Sequence, residues 1–194
     1  EGAPAIDIRN SPLASRFQNN IDFALTGSQQ RVLEEIATDL AKPLPMFRLL
    51  QGDVGSGKTI IAASSAVDVI ASGFQVAIMA PTEILAEQHL LSFSQWLRPL
   101  KIEIAWLTGK VTGRTRVETL SRITSGDAQV IIGTHALFAD DVTFHQLGLI
   151  VVDEQHRFGV QQRLSLREKG RGASGMPHQL IMTATPIPRT LAMS

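Results

Sequence analysis

The chain has 194 residues, no cysteine, and 18 basic against 18 acidic side chains. That length fits one domain with a sizeable core, and the zero balance argues against a protein held to nucleic acid mainly by bulk charge, though it leaves room for a local basic patch. Disulfides and cysteine-held metals are excluded, and no run reaches the roughly 18 apolar residues of a membrane span. The start does not read as a signal peptide. It is Glu1 rather than Met, and the chain ends just after a motif-like segment, so a piece of a longer protein is expected.

Residues 1–22 hold Pro4, Pro12 and several Asn and Ser, with few periodic apolar positions, and read as a linker or loosely docked arm. Thr26 or Ser28 is a candidate cap for a helix over 29–41, with Val32, Leu33, Ile36, Ala37 and Leu40 on one face. Pro43 and Pro45 stop it. Gln29 alone reads as a surface helix residue; its amide also has the donor and acceptor needed to read an adenine edge. Met46 to Leu50 is a short apolar strand. Gly52-Asp53-Val54-Gly55-Ser56-Gly57-Lys58-Thr59 follows, the pattern G-x-x-x-x-G-K-T, and then a helix over 60–71. Strand, glycine loop and helix are the context a phosphate-binding loop requires. Glycines let the loop turn its N–H groups inward, and the helix aims its positive end at the phosphates. Lys58 would then reach the β and γ phosphates of a bound nucleotide, and the Thr59 hydroxyl would ligate Mg²⁺.

Beyond the loop, strands and helices alternate. Strands are predicted over 75–80, 102–107, 129–133, 147–152 and 179–183. Helices are predicted over 82–96, with Ile84, Leu85, Gln88, Leu91 and Phe93 near one side, and over 114–125, stopped by Gly126. Strands this apolar, separated by helices, predict an α/β fold with a mostly parallel central sheet and helices on both faces. Ligands bind such sheets at the carboxyl ends of the strands. Residues 164–177 break the pattern: Arg167, Lys169 and Arg171 alternate with small residues, which suits either a phosphate-contacting loop or a solvated one.

Leu149-Ile150-Val151-Val152-Asp153-Glu154 is an apolar strand ending in two acids. Paired with a phosphate loop, Asp153 is the candidate Mg²⁺ holder, and Glu154 the candidate base that polarises the attacking water. His89, His135, His145 and His178 show no metal-ligand spacing.

Asp153-Glu154-Gln155-His156 resembles motif II of the superfamily 2 helicases and translocases, and the other segments follow in that family's order. Leu25-Thr26 through Gln29 resembles its adenine-contacting glutamine element, and Gly52 to Thr59 its motif I. Pro81-Thr82-Glu83 with Leu85-Ala86-Glu87-Gln88 resembles motif Ia. Thr108-Gly109 and Thr134-His135 resemble the strand-end motifs that touch the DNA backbone. Thr183-Ala184-Thr185-Pro186 resembles motif III, which couples nucleotide state to DNA movement. Val152 to Val160 and Met182 to Leu191 are most similar to the RecG family of branched-DNA helicases, with the Mfd translocases close behind.

The resemblance implies the first RecA-like motor domain over 23–194. Lys58, Asp153, Glu154, Gln155 and His156 would serve ATP hydrolysis. Pro81, Thr82, Thr108, Gly109, Thr134, His135, Thr183, Thr185 and Arg189 would couple it to DNA. The implied partners are forks and Holliday junctions, a second RecA-like domain and a wedge domain, in the cytoplasm. A small-molecule kinase is the competing reading from another class, and Asp-Glu-Gln-His and Thr-Ala-Thr fit it poorly. A nucleotide-dependent binding module without turnover is a third.

Overall fold

The computed structural model describes residues 2–7, 11–52, 57–153, 168 and 175–184. Strands β1 (Phe47–Gln51), β2 (Gln75–Met79), β3 (Ile104–Leu107), β4 (Val130–Gly133), β5 (Leu147–Asp153) and β6 (His178–Thr183) form one six-stranded sheet in the order β1-β6-β5-β2-β4-β3. Every pairing is parallel. Helices α1 (Pro12–Asn20), α2 (Gly27–Leu40), α3 (Lys58–Ala71), α4 (Glu83–Leu97) and α5 (Gly113–Ser125) connect and cover it.

Alternate residues of each inner strand enter different cores, as the two-residue period of a strand requires. Val76, Ile78, Leu149, Val151 and Leu180 join buried residues of α1, α2, α3 and α4. Ala77, Met79, Ile150, Val152 and Ile181 join Ile123 of α5 on the opposite face. The strands are apolar on both sides because both sides are covered. Gly126 ends α5 in the left-handed conformation, φ +87°, where a glycine costs least.

Two local expectations are corrected. Residues 1–22, read as a linker or loosely docked arm, are docked rather than loose: they contain α1, which Ser11 caps by accepting from Ala14 N–H at 3.2 Å and Pro12 opens. Phe17 is buried in the core, and the Ala3 and Ile6 amides donate to Pro43 and Leu40 carbonyls. A nine-residue helix with so few apolar positions is too short to show a clear period. In α4 the buried stripe is Ala86, His89, Phe93 and Leu97, whereas Ile84 and Leu91 are 72% and 67% exposed. This helix carries apolar residues on both sides, so hydrophobicity alone could not choose its inner face.

Two buried polar side chains act as clamps. Gln75, at the start of β2, uses all of its amide hydrogen-bonding directions: Nε2 donates to the Ile123 and Ala128 carbonyls at 2.9 and 2.8 Å. Its Oε1 accepts from the His145 and Gln146 amides at 2.8 and 3.1 Å. His178, fully buried, accepts from Met46 N–H through Nδ1 at 2.9 Å. Its proton therefore sits on Nε2, which donates to Pro4 O at 2.7 Å. Burial pushes its pKa down, so the ring stays neutral and pins residues 2–7 to the start of the sheet.

Between α1, α2 and α3 lies a groove of about 590 Å³, with Phe17, Leu25, Leu33 and Val67 in its wall beside Asp68. Burial pushes the Asp68 carboxyl up to about 7 from 3.8. In this range the folded state holds a proton that the unfolded state has released. Stability is therefore complete below pH ~4 and falls as pH rises through about 7. Asp68→Asn should be about 2 kcal/mol more stable than the parent at pH 8, allowing for the carboxyl's partial exposure, and about equal to it at pH 4. Urea melts at the two pH values check this; a gap that does not change with pH would refute it.

Candidate nucleotide site at the strand ends

Because all strands run one way, Gly52, Ala80, Thr108, Thr134, Asp153 and Thr183 emerge at one edge of the sheet. Backbone bonds knit this edge together: Gly52 N–H to Thr183 O at 3.2 Å, Ala80 N–H to Gly133 O at 3.0 Å, and Thr134 N–H to Leu107 O at 3.4 Å. Asp153 ends β5, Thr183 ends the neighbouring β6, and β6 lies beside β1, whose end leads into Gly52.

Helix α3 begins at Lys58 with Thr59 in its first turn, and its N-cap is Gly57 at φ +84°. A glycine cap has no side chain to occupy the helix N-terminus, and the left-handed turn is open to it at little cost. A Cβ at Gly57 would also collide with Gln29 Nε2. The loop helix and the glutamine of α2 are thus in direct contact. Gln29 also closes a capping box: Thr26 Oγ1 accepts from Gln29 N–H at 3.2 Å, and Gln29 Oε1 accepts from Thr26 N–H at 2.9 Å. The residue singled out for an adenine edge is therefore also the N-terminal lock of its own helix.

Lys58 Nζ donates to the Gly52 carbonyl at 2.6 Å, across the loop it follows. No carboxylate among the described residues forms an ion pair with it. A cation held, among the described residues, by a neutral carbonyl, beside a helix N-terminus with no side-chain cap, suits a polyphosphate. The Asp153 carboxylate is partly exposed at the same edge and accepts from His89 Nε2 at 2.7 Å. His89 was not expected here. No local signal marked it, since its partner is 64 positions away and the inner face of α4 could not be chosen from hydrophobicity.

The segments expected to face DNA are held from within. Thr82 caps α4 by accepting from Leu85 N–H at 3.3 Å, behind the half-buried Pro81. Thr108 and Thr134 are buried, whereas Gly109 and His135 beside them are exposed. Thr108 Oγ1 accepts from Lys110 N–H at 3.3 Å. Glu83 is held below its usual carboxylate range, first by a hydrogen bond from Lys110 and then by one from Thr108. The Lys110–Glu83 pair, at 2.7 Å, bridges the end of β3 to the start of α4. Asp53, Val54, Gly55, Ser56, Glu154, Gln155, His156, Thr185 and Arg189 lie outside the described residues.

A parallel sheet that gathers a glycine-capped loop helix and a strand-end carboxylate at one edge has the RecA-like architecture of phosphate-loop motors. The chain belongs to the DEAD/DEAH box helicase family, whose model matches residues 26–194. Within that family its similarity is to RecG. The ATP-dependent DNA helicase RecG of Pasteurella multocida is 59% identical over 182 residues, covering 94% of this chain and 26% of that protein. A solved structure of RecG bound to a three-way DNA junction superimposes with a TM-score of 0.83 at 40% identity, covering 99% of this chain and 25% of that one. The yeast DEAD-box splicing factor Prp28 shares the fold, with a TM-score of 0.71 at 16% identity over 96% of this chain and 46% of its own. The chain thus spans about a quarter of the length of the curated relatives it matches. No helix among the described residues is long and apolar enough to cross a membrane.

Proposed function

We propose that residues 23–194 are the first motor domain of a RecG-like helicase that remodels forks and Holliday junctions, with residues 1–22 as the preceding linker. The observation that carries this reading is the identity to RecG over nearly the whole chain, together with the gathering of Gly52, Asp153 and Thr183 at one sheet edge. Partners would be branched DNA, a second RecA-like domain and a wedge domain, in the cytoplasm.

Bound Mg·ATP would supply the phosphoryl group whose hydrolysis drives movement. The residues of the chain bind and orient it. Lys58 and the amides of 52–59 would hold phosphate oxygens, Thr59 and Asp153 would hold the metal, and Gln29 would meet the base. Glu154 accepts a proton from the attacking water, flanked by Gln155 and His156. Pro81, Thr82, Gly109 and His135 would grip a DNA backbone through N–H groups and side chains, with the buried Thr108 and Thr134 behind them. Such contacts position DNA without reading its sequence, and a neutral domain can make them. Thr183 ends β6, whose neighbours are β5 with Asp153 and β1 leading into the loop; with Thr185 and Arg189 after it in the sequence, it would pass on a change at the nucleotide.

The test is ATP turnover by the full-length protein, which branched DNA should stimulate. Lys58→Ala should weaken Mg·ATP binding about 10–100-fold, since a charge-assisted hydrogen bond is worth about 1.5–3 kcal/mol. Titration with a fluorescent ATP analogue measures it. Unchanged affinity would remove the phosphate-loop assignment, and turnover indifferent to DNA would remove the motor.

A further inference from the structure

The contact between His89 and Asp153 has no part in the roles above. His89 lies in the second turn of α4, on the stripe that packs against the sheet, and is 6% exposed. Asp153 ends β5, next to β2, from which the chain runs through Pro81 and Thr82 into α4. Nε2 donates to Oδ2 at 2.7 Å, so one oxygen of the carboxylate is tied to a buried ring on a helix. Among the described residues Oδ1 has no such tie, and the carboxylate edge remains partly open to solvent. A free aspartate at a strand end swings about two side-chain torsions. This one is held by a group too deeply packed to swing with it.

We propose that His89 is a positioning residue for the metal site, orienting the Asp153 carboxylate so that its remaining oxygen meets the cation. This rests on the nucleotide-site reading given above. Hydrogen-bond partners of ligating carboxylates typically change metal affinity by about 10–100-fold when removed. His89 also ties that carboxylate to the helix that Thr82 caps, and Thr82 is among the residues proposed to meet DNA.

The experiment compares the full-length protein with its His89→Leu and His89→Gln variants. The readout is the Mg²⁺ concentration that gives half-maximal binding of a fluorescent ATP analogue, with thermal melts to establish folding. His89→Leu should raise that concentration about 10–100-fold and leave nucleotide affinity without Mg²⁺ unchanged. His89→Gln keeps an N–H donor of similar reach and should recover part of the loss. If the leucine variant does not fold, His89→Asn answers the same question, because its shorter amide fits the space but stops short of Oδ2. A folded leucine or asparagine variant with the parental Mg²⁺ midpoint would reduce His89 to core filling. If the parent itself bound nucleotide without regard to Mg²⁺, and Lys58→Ala bound as the parent does, the site reading would fall and the proposal with it.

Discussion

Gln75→Leu is expected to destabilise the protein by about 4 kcal/mol or more. The leucine fills a similar volume, so the loss does not come from a cavity. It comes from the groups left behind. The His145 and Gln146 amides and the Ile123 and Ala128 carbonyls all lose a partner in a buried or half-buried place. The Ile123 carbonyl still accepts from Gly126 N–H, but an unsatisfied buried polar group costs about 1–3 kcal/mol, and a leucine cannot offset the other three by its own burial. The clamp also joins three pieces of chain far apart in sequence: the start of β2, the end of α5 with its exit turn, and the entry to β5. Urea unfolding of parent and variant gives the difference, with the denaturant slope expected to stay the same. A loss below about 1 kcal/mol would mean that water replaces the amide and that the clamp is not a structural element.

Glu154→Gln should keep Mg·ATP affinity within about threefold of the parent while lowering turnover by about 10²–10⁴-fold. Glutamine preserves shape and can still hydrogen-bond a water, but it cannot accept the proton. The split between binding and turnover is therefore the signature of a base. A parallel fall in affinity would point instead to a role in holding the nucleotide. Single-turnover measurements in the full-length protein, with branched DNA present, separate the two, and turnover retained at the parental rate would remove Glu154 from the proton-accepting role.

The parts of this fold that could be read in advance are those governed by repeating local rules. Apolar runs between helical stretches placed all six strands to within a residue or two, and Gly126 was a stop because few other residues accept its φ. The glycine loop and the strand ending at Asp153 stood out for the same reason, since phosphate binding needs a particular backbone path and a particular order of elements. What stayed hidden depends on partners distant in sequence. His89 and Asp153 are 64 positions apart, and Gln75 reaches groups 48 to 71 positions away. No local pattern marks an amide that will serve as a clamp. The face of α4 was misassigned because Ile84 and Leu91 advertise an apolar side that the folded chain leaves exposed. Helix α1 was missed because nine residues around Phe17 offer too little period against a background of Pro, Asn and Ser.

The capping box at Thr26 and Gln29 has a thermodynamic consequence for recognition. A glutamine on a helix surface loses on the order of 1.5–2 kcal/mol of rotamer freedom when a ligand immobilises it. Here that entropy is surrendered when α2 forms, because Oε1 is already bound to Thr26 N–H and Nε2 already rests against Gly57. If Gln29 meets the base as proposed, the base finds a preorganised amide, and little of its interaction energy would be spent on freezing the side chain.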